Sequence, residues 1–166
     1  MIKRKIFFSK FIESLGFTFI ELLVTVSIVS LLAVVVAANY RSFTAKRSVR
    51  NVAEELKSYL VLAQKSAQAG KKTCDNAYLG TRIEIIPPLD CAIYSRCEGD
   101  ELDEFMDCQF SDNNVVFENI TGSNPLDFDT LGVPSDIFSV DVSRSDSSEI
   151  WSVVVDTSGI VSVNKI

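Results

Sequence analysis

The alternation of apolar and polar positions changes character twice along the chain. Residues 17–38 read FTFIELLVTVSIVSLLAVVVAA, a run of 22 residues with one charge, Glu21. No period separates apolar from polar positions there, so the helix it predicts is apolar all round, roughly 33 Å long and matched to a bilayer core. Past it the pattern becomes one-sided. Val49, Val52, Leu56, Tyr59, Leu60, Ala63 and Ala67 recur at three- and four-residue steps, while Lys46, Arg50, Glu54, Lys57 and Lys65 fall mostly off that stripe. No proline or glycine interrupts residues 17–69. Gly70 then supplies a stop, with Lys71 and Lys72 suited to the negative end of the helix dipole. The pattern therefore predicts one helix of roughly 50 residues, about 75 Å long.

Beyond Gly70 the period drops to two and β-branched residues dominate. Strands are predicted at 77–86, 91–94, 114–117, 137–142, 150–155 and 160–163. Asp156-Thr157-Ser158-Gly159 reads as the hairpin turn joining the last two, and Pro87-Pro88 as an extended break. The fold class that follows is α+β: a long N-terminal α-helix, membrane-spanning in its first half, packed against an antiparallel β-sheet head that closes over residues 49–67.

Charge sharpens this division. Residues 1–72 hold twelve Lys/Arg against four Asp/Glu, a balance of +8; residues 73–166 hold four against eighteen, a balance of −14. The head is thus acidic and ill suited to gripping phosphate backbones, and nucleic acid is not an expected partner unless Arg82, Arg96, Arg144 and Lys165 cluster in space. The chain has no histidine, which excludes Ser-His-Asp and Cys-His catalysis and removes the commonest metal ligand. With no nucleophile or acid–base constellation visible, no enzyme and no cofactor is expected. Cys74, Cys91, Cys97 and Cys108 are even in number, irregular in spacing and free of a C-x-x-C pair. They read as disulfide cysteines of a head outside the cytosol, with all three pairings open. The acidic run EGDELDEFMD at 98–107 lacks the calcium-loop pattern and is read as a solvated loop or short helix, so no metal is expected there. Residues 143–149 (SRSDSSE) read as a surface turn, and Trp151 as a core or sheet-face residue.

Three readings compete for residues 1–38. A secretory signal cut near Val35-Val36-Ala37 fits the basic start, but its core would hold about 7–15 residues, well short of the run found. A plain signal anchor is not oriented by charge: Lys3, Arg4, Lys5 and Lys10 precede the run, and Arg41, Lys46, Arg47 and Arg50 follow it. The third reading rests on the leader, Gly16 and the segment GFTFIELLV, which resemble the class III signal of type IV prepilins and pseudopilins. The resemblance implies cleavage between Gly16 and Phe17 by a prepilin peptidase, N-methylation of Phe17, and retention of the apolar segment. Residues 1–16 would be the cleaved leader, 17–38 the transmembrane and assembly half of the helix, 39–70 its amphipathic stem half, and 71–166 the acidic head.

Physical chemistry gives Glu21 a role within that frame. A carboxylate at the centre of a membrane helix costs about 2.5–3.5 kcal/mol on insertion scales. The ammonium freed on Phe17 lies four residues away, and in a bundle of such helices a neighbour's ammonium can pair with Glu21. An ion pair in low dielectric demands exact geometry, which makes it a device for setting stagger. The competing account has Glu21 reaching the headgroups and pairing with its own N-terminus.

Further stretches narrow the resemblance. RSVRNVAEELKSYLVLAQKSAQAGKK is similar to the stem of GspH/FimT-type minor pseudopilins, with Ala63-Gln64-Lys65-Ser66-Ala67 in place of their A-x-x-E-A run. FDTLGVPSD at 128–136 is similar to their F-x-x-x-G strand-turn, and IWSVVVDTSGIVSV at 150–163 to their closing hairpin. The proline that many pilins carry late in the apolar segment is absent from VVVAANY, and the leader carries Glu13. The prokaryotic setting the leader implies gives the sequon Asn119-Ile120-Thr121 little weight. The resemblance implies a structural minor subunit of a type II secretion pseudopilus or a type IV pilus, toward the tip. Its partners would be prepilin peptidase, other pilins and the inner membrane, with the head in the periplasm or outside the cell. The alternative is a membrane-anchored or secreted β-rich binding domain that never polymerises.

Overall fold

The structure, a computed structural model, describes residues 18–70, 76–99 and 101–166. Helix α1 spans Phe19–Gln68, a single element of 50 residues. It starts where Thr18 caps it: the Glu21 amide donates to the Thr18 hydroxyl at 3.3 Å. It ends as the amide of Gly70, at φ 62°, reaches back to the Ala67 carbonyl at 3.1 Å. The expected helix is present almost residue for residue. Lys71 and Lys72, expected to support its end, lie outside the described residues.

The chain divides into two compact units, the first ending at Asn39 and the second running from Tyr40 to Ile166. In the second, α1 shares a core with two four-stranded antiparallel sheets. The first sheet has the order β3 (Glu101–Asp107), β2 (Asp90–Cys97), β1 (Tyr78–Ile86), β5 (Leu126–Phe128). The second has the order β4 (Val115–Gly122), β6 (Phe138–Arg144), β7 (Trp151–Val155), β8 (Val161–Lys165). Alternate residues point inward, as the period-two pattern requires: Ile83 and Ile85 from β1, Val140 and Val142 from β6, Val153 and Val155 from β7. They meet Val49, Val52, Leu56, Leu60, Ala63 and Ala67 of α1 in one buried cluster, with Tyr59 packed at its margin. The helical stripe read from the sequence is therefore the core face. Fully burying one such aliphatic side chain stabilises by about 1.5–3 kcal/mol.

Four expectations change. The acidic run at 98–107 is neither a loop nor a short helix. From Glu101 it is strand β3, pairing Tyr94 with Glu104 and Ser95 with Asp103. Its acidic side chains are tolerated because β3 is an edge strand, where charge also blocks pairing with other chains. Phe105 and Met106 meanwhile pack on the core. Pro87-Pro88 does not extend the chain: residues 87–89 are the turn of a hairpin in which Ile86 faces Asp90. Strand β5, three residues long, was not predicted, and the expected single sheet is two. The hairpin at the C-terminus is as read. Asp156 organises its turn, accepting from the amides of Ser158 and Ile160, each at 2.9 Å.

The disulfide pairing is decided in part. Cys91 and Cys108 are bonded, joining the start of β2 to the residue after β3. Cys97 is also disulfide-bonded, and Cys74 lies outside the described residues.

Candidate functional site

In the first unit the apolar side chains of α1 face outward on every side, from Phe19 at 79% exposure to Val36 at 65%. Polar groups in this stretch are satisfied within the helix. The Thr25, Ser27 and Ser30 hydroxyls donate to the carbonyls of Leu22, Leu23 and Val26 at 2.9, 2.8 and 2.8 Å. Back-bonding of this kind satisfies the hydroxyls without a partner outside the helix. Glu21 is then the one ionisable side chain between Phe17 and Tyr40, and it has no ion-pair partner among the described residues. Its position carries a second meaning. Thr18-Phe19-Ile20-Glu21 fits the T-x-x-E capping pattern, which places a carboxylate in the positive first turn of the dipole. The signal is legible in the sequence. Gly16 and Phe17, the predicted cleavage and methylation positions, lie outside the described residues.

The second unit shows how the stem half of α1 is gripped. Tyr59 donates its hydroxyl proton to the Gln109 carbonyl at 2.9 Å and accepts from the Gln109 amide at 3.0 Å. Glu55 accepts the Ser111 amide at 2.9 Å. Phe110 stands edge-on to both Tyr59 and Phe117, with ring centroids 5.6 and 5.1 Å apart. Asp112 closes this strap: its carboxylate accepts from the Ser48 hydroxyl, the Arg144 guanidinium and the Asn114 amide. Burial pushes the Asp112 carboxyl up. The hydrogen bonds from Ser48 and Asn114, with the Arg144 charge, outweigh that and hold it below the usual range. At the other end of the stem, Gln64 and Gln68 donate to the Gly132 and Leu131 carbonyls at 2.9 and 3.0 Å. Gly132, at φ 79°, is the glycine of the F-x-x-x-G stretch, and a Cβ there would run into the Gln68 side chain.

The four basic residues of the acidic half do not form a free patch. Arg82 forks onto Asp127 at 2.7 and 2.9 Å, and Arg96 reaches the same carboxylate at 3.1 Å. Arg144 pairs with Asp112 and Asp146, and Lys165 with Glu149 at 2.8 Å. Each is matched by a carboxylate, and Arg82 and Arg96 share one, Asp127. Asn119 of the sequon donates its amide to Asp141 at 3.1 Å. Among the described residues no group of three or more His, Cys, Asp or Glu is placed to hold a metal ion. The acidic cluster on the outer face of β2 and β3 is self-repelling. The Glu104 carboxyl is raised by its hydrogen bond to Asp107 and by that neighbour's charge.

No family model matches the chain, and no curated protein matches it. The structure is similar to that of the minor pseudopilin EpsH from the type 2 secretion system of Vibrio cholerae. The TM-score is 0.53 at 12% identity, over 71% of this chain and 97% of that one. At that identity the likeness is one of architecture. A long N-terminal helix, apolar and exposed in its first half and packed on antiparallel sheets in its second, gives this chain a pseudopilin-like fold.

Proposed function

We propose that the chain is a pilin-like structural subunit, of the minor pseudopilin kind, that is processed by a prepilin peptidase, held in the inner membrane and then assembled into a filament. The observation that carries this reading is the contrast along α1: large apolar side chains exposed from Phe19 to Val36, stripe residues buried from Val49 to Ala67 with Tyr59 at the margin, on a pseudopilin-like fold. A single-subunit binding domain has no use for so large an apolar surface beyond anchoring. A filament uses the same surface twice, first against lipid and then against neighbouring helices. In this reading residues 1–16 are the leader, cleavage falls after Gly16, and Phe17 carries the methylated ammonium that Glu21 of a neighbour receives. In this reading the likeness to EpsH favours a type II secretion system over a type IV pilus, and the subunit is of the GspH/FimT type. The role is one of assembly and contact, with no reaction assigned to the chain.

Mass spectrometry of the mature N-terminus tests the processing. A chain beginning at methylated Phe17 supports the reading, and one beginning at Ala38 or at an intact Met1 sinks it. Replacing Glu21 with Ala tests the assembly role. The variant is expected to insert normally and to lose incorporation into filaments by at least about tenfold, since a buried charge left without its partner is strongly unfavourable. Unchanged incorporation would return Glu21 to its capping role alone.

A further inference from the structure

The stem carries a face that neither the core nor the assembly half uses. Tyr40, Phe43, Arg47 and Arg50 follow one another at steps of three, four and three, one side of α1, roughly opposite the buried Val49, Val52 and Leu56. Tyr40 and Phe43 are exposed, as are Arg41, Arg47 and Arg50. Beside this face Trp151 opens β7, and Arg50 lies over its ring with Cζ 5.4 Å from the centroid. Phe43, Lys46, Arg47, Arg50, Glu149 and Trp151 border a groove of about 450 Å³. Its one carboxylate, Glu149, is already engaged by Lys46 at 3.7 Å and Lys165 at 2.8 Å. Arg41 and Arg47 have no carboxylate partner among the described residues, and Arg50 has only the indole.

We propose that this face is a docking surface for anionic phospholipid headgroups while the subunit waits in the membrane. The inference rests on the membrane-anchored reading above. About 20 helical residues cross an apolar core, so the 22-residue run 17–38 ends its span just before Tyr40 and Arg41. Tyr40 and Phe43 then fall at the boundary where aromatic rings concentrate. Arg47 stands about 9 Å further along the axis, within the reach of its own side chain and of a Debye length of about 8 Å. Guanidinium groups, planar and poorly hydrated, suit phosphate oxygens better than ammonium groups do. The acidic head of a second subunit also complements this charge, but it does not account for the aromatic residues placed at the membrane boundary.

Trp151 is the sole tryptophan, which makes the groove directly observable. The full chain is reconstituted into phosphatidylcholine vesicles containing phosphatidylglycerol, with the same shallow nitroxide label carried on one lipid or the other. Labelled phosphatidylglycerol should quench Trp151 at least about threefold more per mole than labelled phosphatidylcholine. The ratio should fall to about one in R47Q/R50Q and only partway in R47K/R50K, where charge is kept and the guanidinium fork is lost. Because each variant serves as its own reference, a changed indole environment cancels. A ratio near one in the parent chain overturns the proposal. So does quenching that follows protein density at fixed lipid composition, which assigns the face to a second subunit. Loss of the preference on adding inorganic phosphate at constant ionic strength makes the groove a general anion site and also overturns it. A chain that fails to float with vesicles overturns the anchoring reading itself, an outcome distinct from insertion without lipid preference.

Discussion

The two halves of α1 both carry apolar side chains and dispose of them in opposite ways. Before Asn39 the helix carries Leu, Ile, Val and Phe on every side and buries none of them in its own chain; beyond Tyr40 it carries fewer, and buries nearly all of those on its stripe. Apolar content alone therefore does not tell which half makes the core. Period does: a surround of apolar residues has no inward side, and a stripe has one. The polar groups follow suit. Thr25, Ser27 and Ser30 of the first half bond to their own helix, as do Thr44 and Ser58 of the second, but only the second half also sends Ser48, Tyr59, Gln64 and Gln68 across to the head.

The contrast is broken most directly by paired truncations. Leu56→Ala is expected to destabilise the head by about 2–5 kcal/mol, and Leu31→Ala by close to nothing, in denaturant unfolding of the detergent-solubilised chain. Equal effects would mean that the first half contributes to the folded core. Removing the Cys91–Cys108 bridge, whose partners are 17 residues apart, should cost about 3 kcal/mol on the same assay. Loss on this scale should be confined to the head and leave membrane insertion unchanged.

Asp112 sharpens the comparison through pH. Its folded carboxyl lies below the ordinary value, so its contribution to stability is complete above the unfolded pKa of about 3.9 and is lost as pH falls through the folded one. Unfolding followed from neutral pH downward should show stability dropping below about pH 4. Asp112→Asn should be weaker at neutral pH by about 1–3 kcal/mol and show less of that drop. The smallest effect is reserved for Lys57, whose ammonium stands 4.0 Å from Glu54 on the exposed side of the stem. Lys57→Ala is expected to change stability by no more than about 0.5 kcal/mol. A larger loss would show that this side of the stem is not the solvated face it resembles.

Much of this arrangement is legible in the sequence. The helix and its limits follow from an uninterrupted run and a glycine stop, and the closing hairpin from alternation around Asp156-Thr157-Ser158-Gly159, because both are governed by contacts between residues near in sequence. Strand β3 was missed because its pairing with β2 and the packing of Phe105 and Met106 are not written into a segment dominated by Asp and Glu. The division into two sheets, and the short β5 beside β1, depend on which distant strands meet.

By itself, the sequence determined the long helix, the change from an all-round to a one-sided apolar surface, the lone carboxylate in the apolar run, and the acidity of the head. These are properties of composition and period, which hold whatever the chain packs against. Only the tertiary structure decided that Cys91 bonds Cys108, that the four basic head residues are each matched by a carboxylate, and that Gln64 and Gln68 hold the F-x-x-x-G turn. It also brought Arg50 and Trp151, a hundred residues apart in the chain, to one groove. Such pairings are set by long-range closure of the chain around its core, and local patterning carries no record of them.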